Sequence, residues 1–222
     1  MISMTTLVAE NLGKSYGDAV ILEGIGFQAN PGDSIAFMSP SGSGKSTLLS
    51  MLGLLLTPTT GRVVVDGVDT STLNDKQLSK LRLEIVGFVF QHTQLIGSLR
   101  AIENVTVPAN FSAQGAKAKA EQAREMLCQL GLEKRLLHYP HQLSVGQKRR
   151  VALARALVMD PPIVIADEPT NDLDAESRNS VADALFDRCA QGGILLFATH
   201  DEELASRATR IMRLDGKTFK EA

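Results

Sequence analysis

The sequence lacks an excess of either charge. Its 222 residues include 23 lysines and arginines against 25 aspartates and glutamates, a formal net charge of −2. The missing basic excess argues against a protein that works on nucleic acid, although it leaves room for a local basic patch. We find no internal repeat and no low-complexity tract, and the 44% hydrophobic content is that of a folded globule. The length fits one domain, or one domain with an inserted lobe.

Long apolar runs are also absent. No stretch of 18 or more apolar residues occurs, so we expect no segment that spans a bilayer. The first ten residues lack a basic flank followed by an apolar run, which argues against a secretory signal. The cysteines, Cys128 and Cys189, stand alone in helical patterns and are expected to be reduced thiols. These absences predict a soluble cytoplasmic protein whose role at a membrane would come through a partner.

Short apolar runs bounded by turn residues alternate with helical patterns. They predict strands at Thr5–Glu10, Val20–Ala29, Ser34–Met38, Arg62–Asp66, Val86–Phe90, Ile163–Ala166, Ile194–Ala198 and Arg210–Leu214. They predict helices at Leu48–Leu55, Asp75–Leu83, around Ala120–Leu130 (with Gly131 as C-cap), at Val145–Leu157, at Ala175–Ala190 and just after the strand at 194–198. This order predicts an α/β fold with a parallel core and an inserted helical lobe. The single domain 1–222 would divide into a core (1–90 and 158–222) and a helical subdomain (91–157).

A glycine-rich loop joins the predicted strand at Ser34–Met38 to the next helix. Glycines let the backbone close around phosphate oxygens, and N–H groups at a helix N-terminus face the anion. Lys45 is placed to reach terminal phosphates, and Ser46 offers a hydroxyl to Mg²⁺. The predicted nucleotide-binding residues are Ser41, Gly42, Ser43, Gly44, Lys45, Ser46 and Thr47. The alternative is a Gly/Ser-rich loop that matches by accident.

A second candidate element is the apolar strand that ends in Asp167-Glu168. It places carboxylates at the sheet edge where the loop also opens. Asp167 is suited to hold Mg²⁺, directly or through water, and Glu168 to orient or deprotonate an attacking water. The alternative is a pair of surface acids after a core strand.

Five elements together resemble the nucleotide-binding subunits of ABC transporters over nearly the whole chain. They are Lys45-Ser46, Gln91, Leu143-Ser144-Val145-Gly146-Gln147, Asp167-Glu168 and His200. The loop alone indicates only some P-loop NTPase, whereas the Leu-Ser-x-Gly-Gln element makes the resemblance specific. It implies a P-loop NTPase core with flanking helices, an N-terminal antiparallel β subdomain and an inserted α-helical subdomain. It also implies an ATPase that uses ATP and Mg²⁺.

The resemblance assigns further roles by position. Tyr16 matches the aromatic that stacks on adenine, with a turn or core tyrosine as the alternative. Gln91 matches the glutamine that contacts Mg²⁺ or water, and His200 the histidine that contacts the γ-phosphate. The segment Asn171–Asp174 matches the loop that crosses the dimer interface, and Asp174 is the residue expected to lie at that interface. No role follows for the other histidines, which we expect to be surface or packing residues: His92, His138 and His141.

In the family, ATP lies between two head-to-tail protomers. The residues Ser144, Gly146 and Gln147 would then face the γ-phosphate bound by the partner protomer. The arginines of the same helix, at 149, 150 and 155, lie off its apolar side in the sequence pattern. Hydrolysis removes the shared anion and loosens the homodimer.

The chain departs from the family pattern at two positions. Val145 stands where a first glycine is usual, and Ser39 replaces the opening glycine of the loop, where strain is expected if the site needs a positive φ. Either substitution can slow turnover, but the residues with chemical roles remain. The sequence therefore predicts an active ATPase.

Within the family, four stretches are similar to the group that serves lipoprotein release, macrolide export, antimicrobial-peptide resistance and cell division: 89–91, 101–105, 142–144 and 166–170. That group implies an integral membrane permease as partner, a place on the cytoplasmic side of the membrane, and no nucleic-acid partner. We expect the permease contact near 91–101, where Leu95, Ile96 and Leu99 either meet a permease helix or pack internally.

Three functions stay open. The first is an ATPase that powers a permease in export, lipoprotein release or other mechanical work. The second is an ABC ATPase outside transport, which the single short cassette and the charge of −2 disfavour. The third is an ABC ATPase that regulates a membrane or cell-division complex without transport. The transported substrate is not encoded in this sequence, because in the family the permease selects it.

Overall fold

A computed structural model describes residues 5–40, 42–112 and 115–222. The strands in these residues are β1 (Leu7–Tyr16), β2 (Ala19–Ala29), β3 (Ser34–Met38), β4 (Thr60–Val65), β5 (Val68–Asp69), β6 (Val86–Val89), β7 (Ile163–Asp167), β8 (Ile194–Thr199), β9 (Arg210–Asp215) and β10 (Thr218–Glu221). The α-helices are α1 (Lys45–Leu52), α2 (Asp75–Ile85), α3 (Ala101–Thr106), α4 (Gly115–Gln129), α5 (Val145–Leu157), α6 (Ala175–Ala190) and α7 (Glu202–Ser206). Short 3₁₀ helices lie at Thr70–Thr72, Val107–Phe111 and Pro140–Gln142.

The described strands form two sheets. One is antiparallel, in the order β2-β1-β4-β5. In the other, β9, β3, β8, β7 and β6 are neighbours in that order and run parallel, while β10 pairs antiparallel with β9. This arrangement confirms the predicted α/β class with a parallel core and an N-terminal antiparallel sheet.

The parallel sheet separates two apolar cores. Every residue of β3, β7 and β8 is buried, as expected for strands covered on both faces. Successive side chains of a strand point to opposite faces, so β7 contributes to both cores. Ile163 and Ile165 pack with α1 and the antiparallel sheet, whereas Val164 and Ala166 pack with residues of α3 to α6.

The helices α3, α4 and α5 lie between β6 and β7 in the chain and pack against one another. They fall within residues 91–157, which remains our proposed helical subdomain. Gly131 caps α4 as predicted: its φ is 69°, and the next amide, of Leu132, donates to the carbonyl of Leu127 at 2.8 Å.

Several elements differ from the sequence prediction, among them β1, α1 and β10. β1 continues to Tyr16 because Asn11, at a φ of 51°, forms a bulge after which pairing with β2 resumes. α1 begins at Lys45 rather than Leu48, because Gly44 is its N-cap. β10 was not predicted, since its four residues form a strand only by pairing with β9 across the turn at Gly216, whose φ is 64°.

Gly87 of β6 offers a test of how tightly this strand packs on α5. A Cβ there would lie 2.2 Å from the carbonyl oxygen of Ala156 and 2.7 Å from Cγ of Pro161. Gly87→Ala is therefore expected to lower the free energy of unfolding by roughly 1–3 kcal/mol through overpacking, measured by urea denaturation. Gly97→Ala is the control, because a Cβ there meets no atom within 4 Å. Equal stability of the two variants would contradict the packing argument.

Candidate nucleotide-binding site

Three strands of the parallel sheet bring the predicted site residues to one edge. The register pairs Met38 of β3 with Thr199 of β8, and Asp167 of β7 with the residue before Thr199. Parallel strands end at the same edge, so the loop after β3 meets Glu168, which follows β7, and His200, which follows β8.

The glycines of the loop after β3 have a backbone that side chains disfavour. Gly42 has a φ of 77° and Gly44 a φ of 99°. A Cβ on Gly44 would also lie 3.0 Å from Cγ2 of Ile21. Both glycines are therefore needed for the turn into α1, whose first backbone N–H groups face the loop.

Ser39 at the loop entry does not have a positive φ, so the strain expected there is absent. Its hydroxyl instead shares a short hydrogen bond with the hydroxyl of Ser43. Ser43 Oγ also donates to the carbonyl of Pro40 at 2.7 Å. The predicted Ser41 lies outside the described residues.

Lys45 is a buried ammonium at the centre of the loop, with 6% of its surface exposed. Its Nζ donates to the carbonyls of Ser39 at 2.7 Å and Pro40 at 3.2 Å. It also lies 3.5 Å from Oε1 of Glu168. The buried charge is thus held by two loop carbonyls and one carboxylate, as a buried charge requires.

Asp167, the last residue of β7, is also buried. Burial raises the pKa of its carboxyl above the ordinary value, and the charge of Glu168 acts in the same direction. A hydrogen bond from the Ser46 hydroxyl, and then the charges of Lys45 and Arg149, oppose this rise in pKa. The Ser46 hydroxyl and the Asp167 carboxylate therefore lie within hydrogen-bonding reach at one side of the loop.

Glu168, next to Asp167, lies between Lys45 and His200. Its Oε2 is 3.0 Å from Nδ1 of His200, and its Oε1 faces Lys45. Its φ of 46° is unusual for a residue with a side chain. Such backbone strain is typical of functional sites, where the surrounding structure holds it.

A cavity of about 370 Å³ opens among these groups. Its lining residues are Tyr16, Ile21, Gly42, Gly44, Lys45, Ser46, Thr47, Gln91, Asp167 and Glu168. Most of the residues predicted for nucleotide, metal and catalysis therefore meet around one space. Ile21 was not predicted, because an apolar strand residue carries no sequence signal for a site. Tyr16 is 55% exposed at the cavity mouth, which excludes the core tyrosine considered above.

The Ser144–Gln147 element does not line that cavity. Ser144 is the N-cap of α5, and its Oγ accepts from the Gln147 amide at 3.2 Å. The Gln147 side chain accepts in return from the Ser144 amide at 3.0 Å, which completes a capping box. Val145 beside it is exposed, so the helix N-terminus presents these residues outward.

The predicted dimer loop packs against this helix. Asp174 is the N-cap of α6 and accepts from the amide and hydroxyl of Ser177 at 2.9 and 3.0 Å. These bonds from Ser177 lower the pKa of the Asp174 carboxyl. A Cβ on Gly146 would lie 3.0 Å from the Ser177 hydroxyl and 3.7 Å from Asp174. A glycine at 146 therefore allows α5 to approach α6 closely.

Comparisons with known proteins agree with this geometry. Residues 22–171 match the family model described as ABC transporter. The lipoprotein-releasing system ATP-binding protein LolD of Bacteroides thetaiotaomicron is 39% identical over 95% of the chain and 97% of its own length. The dimeric structure of MJ0796, a bacterial ABC transporter cassette, has a TM-score of 0.90 at 36% identity and covers 97% of both chains.

The chain is an ATP-binding cassette of the ABC transporter family. The cassette is an ABC ATPase, and its relatives fall in the predicted lipoprotein-release and macrolide-export group. It spans about a third of one such relative, the macrolide export ATP-binding/permease protein MacB of Hyphomonas neptunium, at 41% identity over 97% of the chain and 34% of MacB. The post-hydrolysis structure of MJ0796 bound to ADP and Pi has a TM-score of 0.87 at 35% identity, covering 97% of both chains.

Other predictions about the cassette are tested by the described residues. None of their helices is long and apolar enough to cross a membrane. His138 lies 3.0 Å from a guanidinium nitrogen of Arg135, and His141 stacks on Tyr139. The predicted placement of Arg149 off the apolar side of α5 is wrong: it is 4% exposed and reaches under the Gln91 segment. Helical periodicity places a residue on a face but does not show what covers that face.

The pH dependence of stability tests the environment of Asp167. Because its pKa is raised on folding, its protonated form stabilises the fold fully below the ordinary value of 3.8, and this contribution is lost as pH rises through the folded value. Asp167→Asn, which cannot ionise, is therefore expected to gain stability relative to the wild type as pH rises from 4 to 7. Urea denaturation of both proteins without nucleotide measures the free energy of unfolding of the variant minus that of the wild type. If this difference stays constant or becomes more negative as pH rises, the carboxylate is not destabilised by burial.

Proposed function

We propose that the cassette binds Mg-ATP in the cavity around Lys45 and hydrolyses it to drive a membrane permease. The observation that carries this proposal is the convergence of the loop glycines, Lys45, Ser46, Asp167 and Glu168 around one cavity. A buried ammonium beside helix-terminal N–H groups suits the β- and γ-phosphates. Tyr16 at the mouth offers an exposed ring for adenine, and Ser43 and Thr47 complete the loop.

The donor set fits magnesium. The Ser46 hydroxyl, the Asp167 carboxylate and the Gln91 side-chain amide are oxygen donors among the residues that line the cavity, and Mg²⁺ prefers oxygen. When bound, the ion would neutralise charge on the phosphates. Lys45 would exchange its loop carbonyls for phosphate oxygens, because an anion is a stronger partner for a buried ammonium than a neutral carbonyl.

Glu168 is our candidate base. The attacking water would bond to the γ-phosphorus while the bond from that phosphorus to the bridging oxygen of ADP breaks, and Glu168 would accept the water's proton. His200, 3.0 Å from Glu168 Oε2, would hold the carboxylate and contact the γ-phosphate. Gln91, which also lines the cavity, would place the water or the metal.

We further propose a head-to-tail homodimer in the ATP-bound state. Ser144, Gly146 and Gln147 lie at the positive end of the 13-residue helix α5 but do not line the cavity of their own chain. A second copy would bring them to the γ-phosphate, with Asp174 near the interface. The dimeric MJ0796 cassette supports this arrangement.

We propose that the permease binds the cassette at a second surface, which lies beside the Gln91 segment. A groove of about 510 Å³ is lined by Phe88, Phe90, Val107, Pro108, Phe111 and Met159, among others. Phe111 is 75% exposed, an unusual position for a large apolar side chain. Because Phe90 precedes Gln91 directly, a cytoplasmic helix of the permease seated here would act on the metal side of the cavity.

The groove extends the contact predicted at 91–101. Leu95 packs against the helical core, whereas Ile96 is exposed and Leu99 half-buried. The relatives named as an ATP-binding protein of a lipoprotein-releasing system and as an ATP-binding/permease protein support an integral membrane partner. We therefore place the cassette at the cytoplasmic face of the membrane, held by that permease.

ATP-dependent dimerisation tests the proposed site. Glu168→Gln keeps the shape of the side chain but cannot accept the proton, so the variant is expected to bind Mg-ATP, hydrolyse it at least about a hundredfold more slowly, and remain a dimer in light scattering. Lys45→Ala is the matched control and should neither bind ATP nor dimerise. A Glu168→Gln protein that is saturated with Mg-ATP yet monomeric would contradict the sandwich, and one with wild-type turnover would contradict the base.

Phe111→Asp tests the groove. The probe is the permease that co-purifies with the tagged wild-type chain from detergent extracts, once it is identified by mass spectrometry and expressed alone. A carboxylate in an apolar contact is expected to weaken its binding at least about tenfold while ATP hydrolysis by the isolated cassette stays unchanged. Leu137→Asp, at another exposed apolar residue that does not line the groove, is the control and should bind normally. Full binding by Phe111→Asp would exclude this groove.

A further inference from the structure

Arg149 is a buried charge that the proposed function has not used. It lies on α5 five residues after Ser144, and only 4% of its surface is exposed. Its Nη1 donates to the carbonyls of Phe90, at 3.3 Å, and Gln91, and its Nη2 donates to the carbonyl of Asn171 at 3.3 Å. A single guanidinium therefore joins α5 to two segments that are far apart in the sequence, one at Phe90 and Gln91 and the other at Asn171.

The surroundings of Arg149 do not favour a charged side chain, so stability alone does not explain an arginine at this position. Burial lowers the pKa of the Arg149 guanidinium, and the charges of Asp172 and Asp167 only oppose this effect. Its Nε is buried and has no hydrogen-bond partner among the residues that the structure describes. A neutral side chain would avoid both penalties, because buried ions are often less stable than apolar replacements. The position therefore favours a role in arranging its neighbours.

The segments that Arg149 joins belong to different parts of the proposed mechanism. Gln91 lines the cavity and is one of the proposed metal ligands. Asn171 precedes Asp172, whose φ is 59°, and leads to Asp174 at the proposed dimer interface. Ser144 caps the same helix that carries Arg149 and would face the partner's nucleotide. Ser144 and Arg149 are five residues apart on one rigid helix, which is about 7.5 Å along its axis at 1.5 Å per residue.

Arg155, six residues further along α5, binds the other end of the Gln91 segment. Its guanidinium donates to the carbonyls of Thr93 at 2.8 Å and Gln94 at 2.7 Å. The backbone from 90 to 94 is thus held to α5 at both ends. Arg155 does not share the contact with Asn171, which distinguishes the role of Arg149.

We infer that Arg149 is a positioning residue that couples the Gln91 segment and the Asn171–Asp174 loop to the Ser144 end of α5. This inference rests on the proposed function. It acts through backbone carbonyls, so it sets where Gln91 and the dimer loop lie when the helix N-terminus engages a partner. Because Arg149 hydrogen-bonds no described residue of the phosphate loop, its loss is expected to affect turnover and metal use rather than ATP affinity.

Steady-state kinetics of Arg149→Gln test the inference. The variant is expected to lower kcat about tenfold, to leave the KM for ATP within about twofold, and to raise the half-saturating Mg²⁺ concentration about threefold, since Gln91 is displaced. Arg149→Lys is expected to remain at least about fivefold slow, because one ammonium does not span the two nitrogen positions that hold separate segments. Full recovery with lysine would show that the charge alone matters and would overturn the coupling.

A double-mutant cycle with Gln91→Ala gives an independent readout. If Arg149 acts through Gln91, the kcat loss from Arg149→Gln falls from about tenfold to under about threefold in that background. An undiminished loss, together with an unchanged Mg²⁺ requirement, would overturn the inference. The kcat loss that remains in the Gln91→Ala background measures the effect of the contact with Asn171.

Arg188→Gln is the structural control. Arg188 on α6 also donates to two carbonyls, those of Pro161 and Asp160, but at the amino end of β7, opposite the site. Its loss should lower Tm while kcat stays unchanged. Failure of the proposed function is distinguishable, because Lys45→Ala would then hydrolyse ATP normally, whereas failure of this inference leaves Lys45→Ala inactive and Arg149→Gln at the wild-type rate and wild-type Mg²⁺ requirement.

Discussion

The parallel pairing of β3, β8 and β7 is the constraint on which the site depends. Hydrogen bonding in register sets the ends of these strands at one edge: Asp167 of β7 pairs with Ala198 of β8, and Met38 of β3 pairs with Thr199 on the other side of β8. Three loops far apart in the chain then leave the sheet within reach of each other. The strands are buried on both faces by two separate cores, so a one-residue slip would exchange the side chains that are packed in the two cores.

At that edge, charges rather than shape hold the local structure. Lys45 is buried among the carbonyls of Ser39 and Pro40 and faces Glu168, while Glu168 bridges to His200. Removing one member of such a buried pair is strongly destabilising, by about 3–5 kcal/mol in other proteins, because the other charge loses its compensation. The strained φ of Glu168 fits the same interpretation, since the network around it supplies the energy that holds an uncommon backbone.

The α5 helix connects this edge of the sheet to other parts of the proposed mechanism. Its N-terminus presents Ser144 and the exposed Val145, its buried middle holds Arg149, and Arg155 binds the segment that follows Gln91. One rigid element therefore forms part of the proposed partner-facing surface and also contacts the segment of Gln91, a proposed metal ligand, and Asn171 of the proposed dimer loop. The groove around Phe111 adjoins the same segment, so a permease seated there and a nucleotide in the cavity would act on shared backbone.

The sequence by itself determined the α/β class, the phosphate loop, the two carboxylates and the helices at 145–157 and 175–190, because these depend on local pattern and on residue types with few alternative uses. Tertiary structure alone decided three other features: the strand at Thr218–Glu221, which forms by pairing with β9; the inclusion of Ile21 in the cavity wall; and the burial of Arg149 beneath Gln91. Each depends on which distant segment covers a residue. A pattern along one chain specifies the face on which a side chain lies, whereas its partners are set by the packing of elements that are remote in sequence.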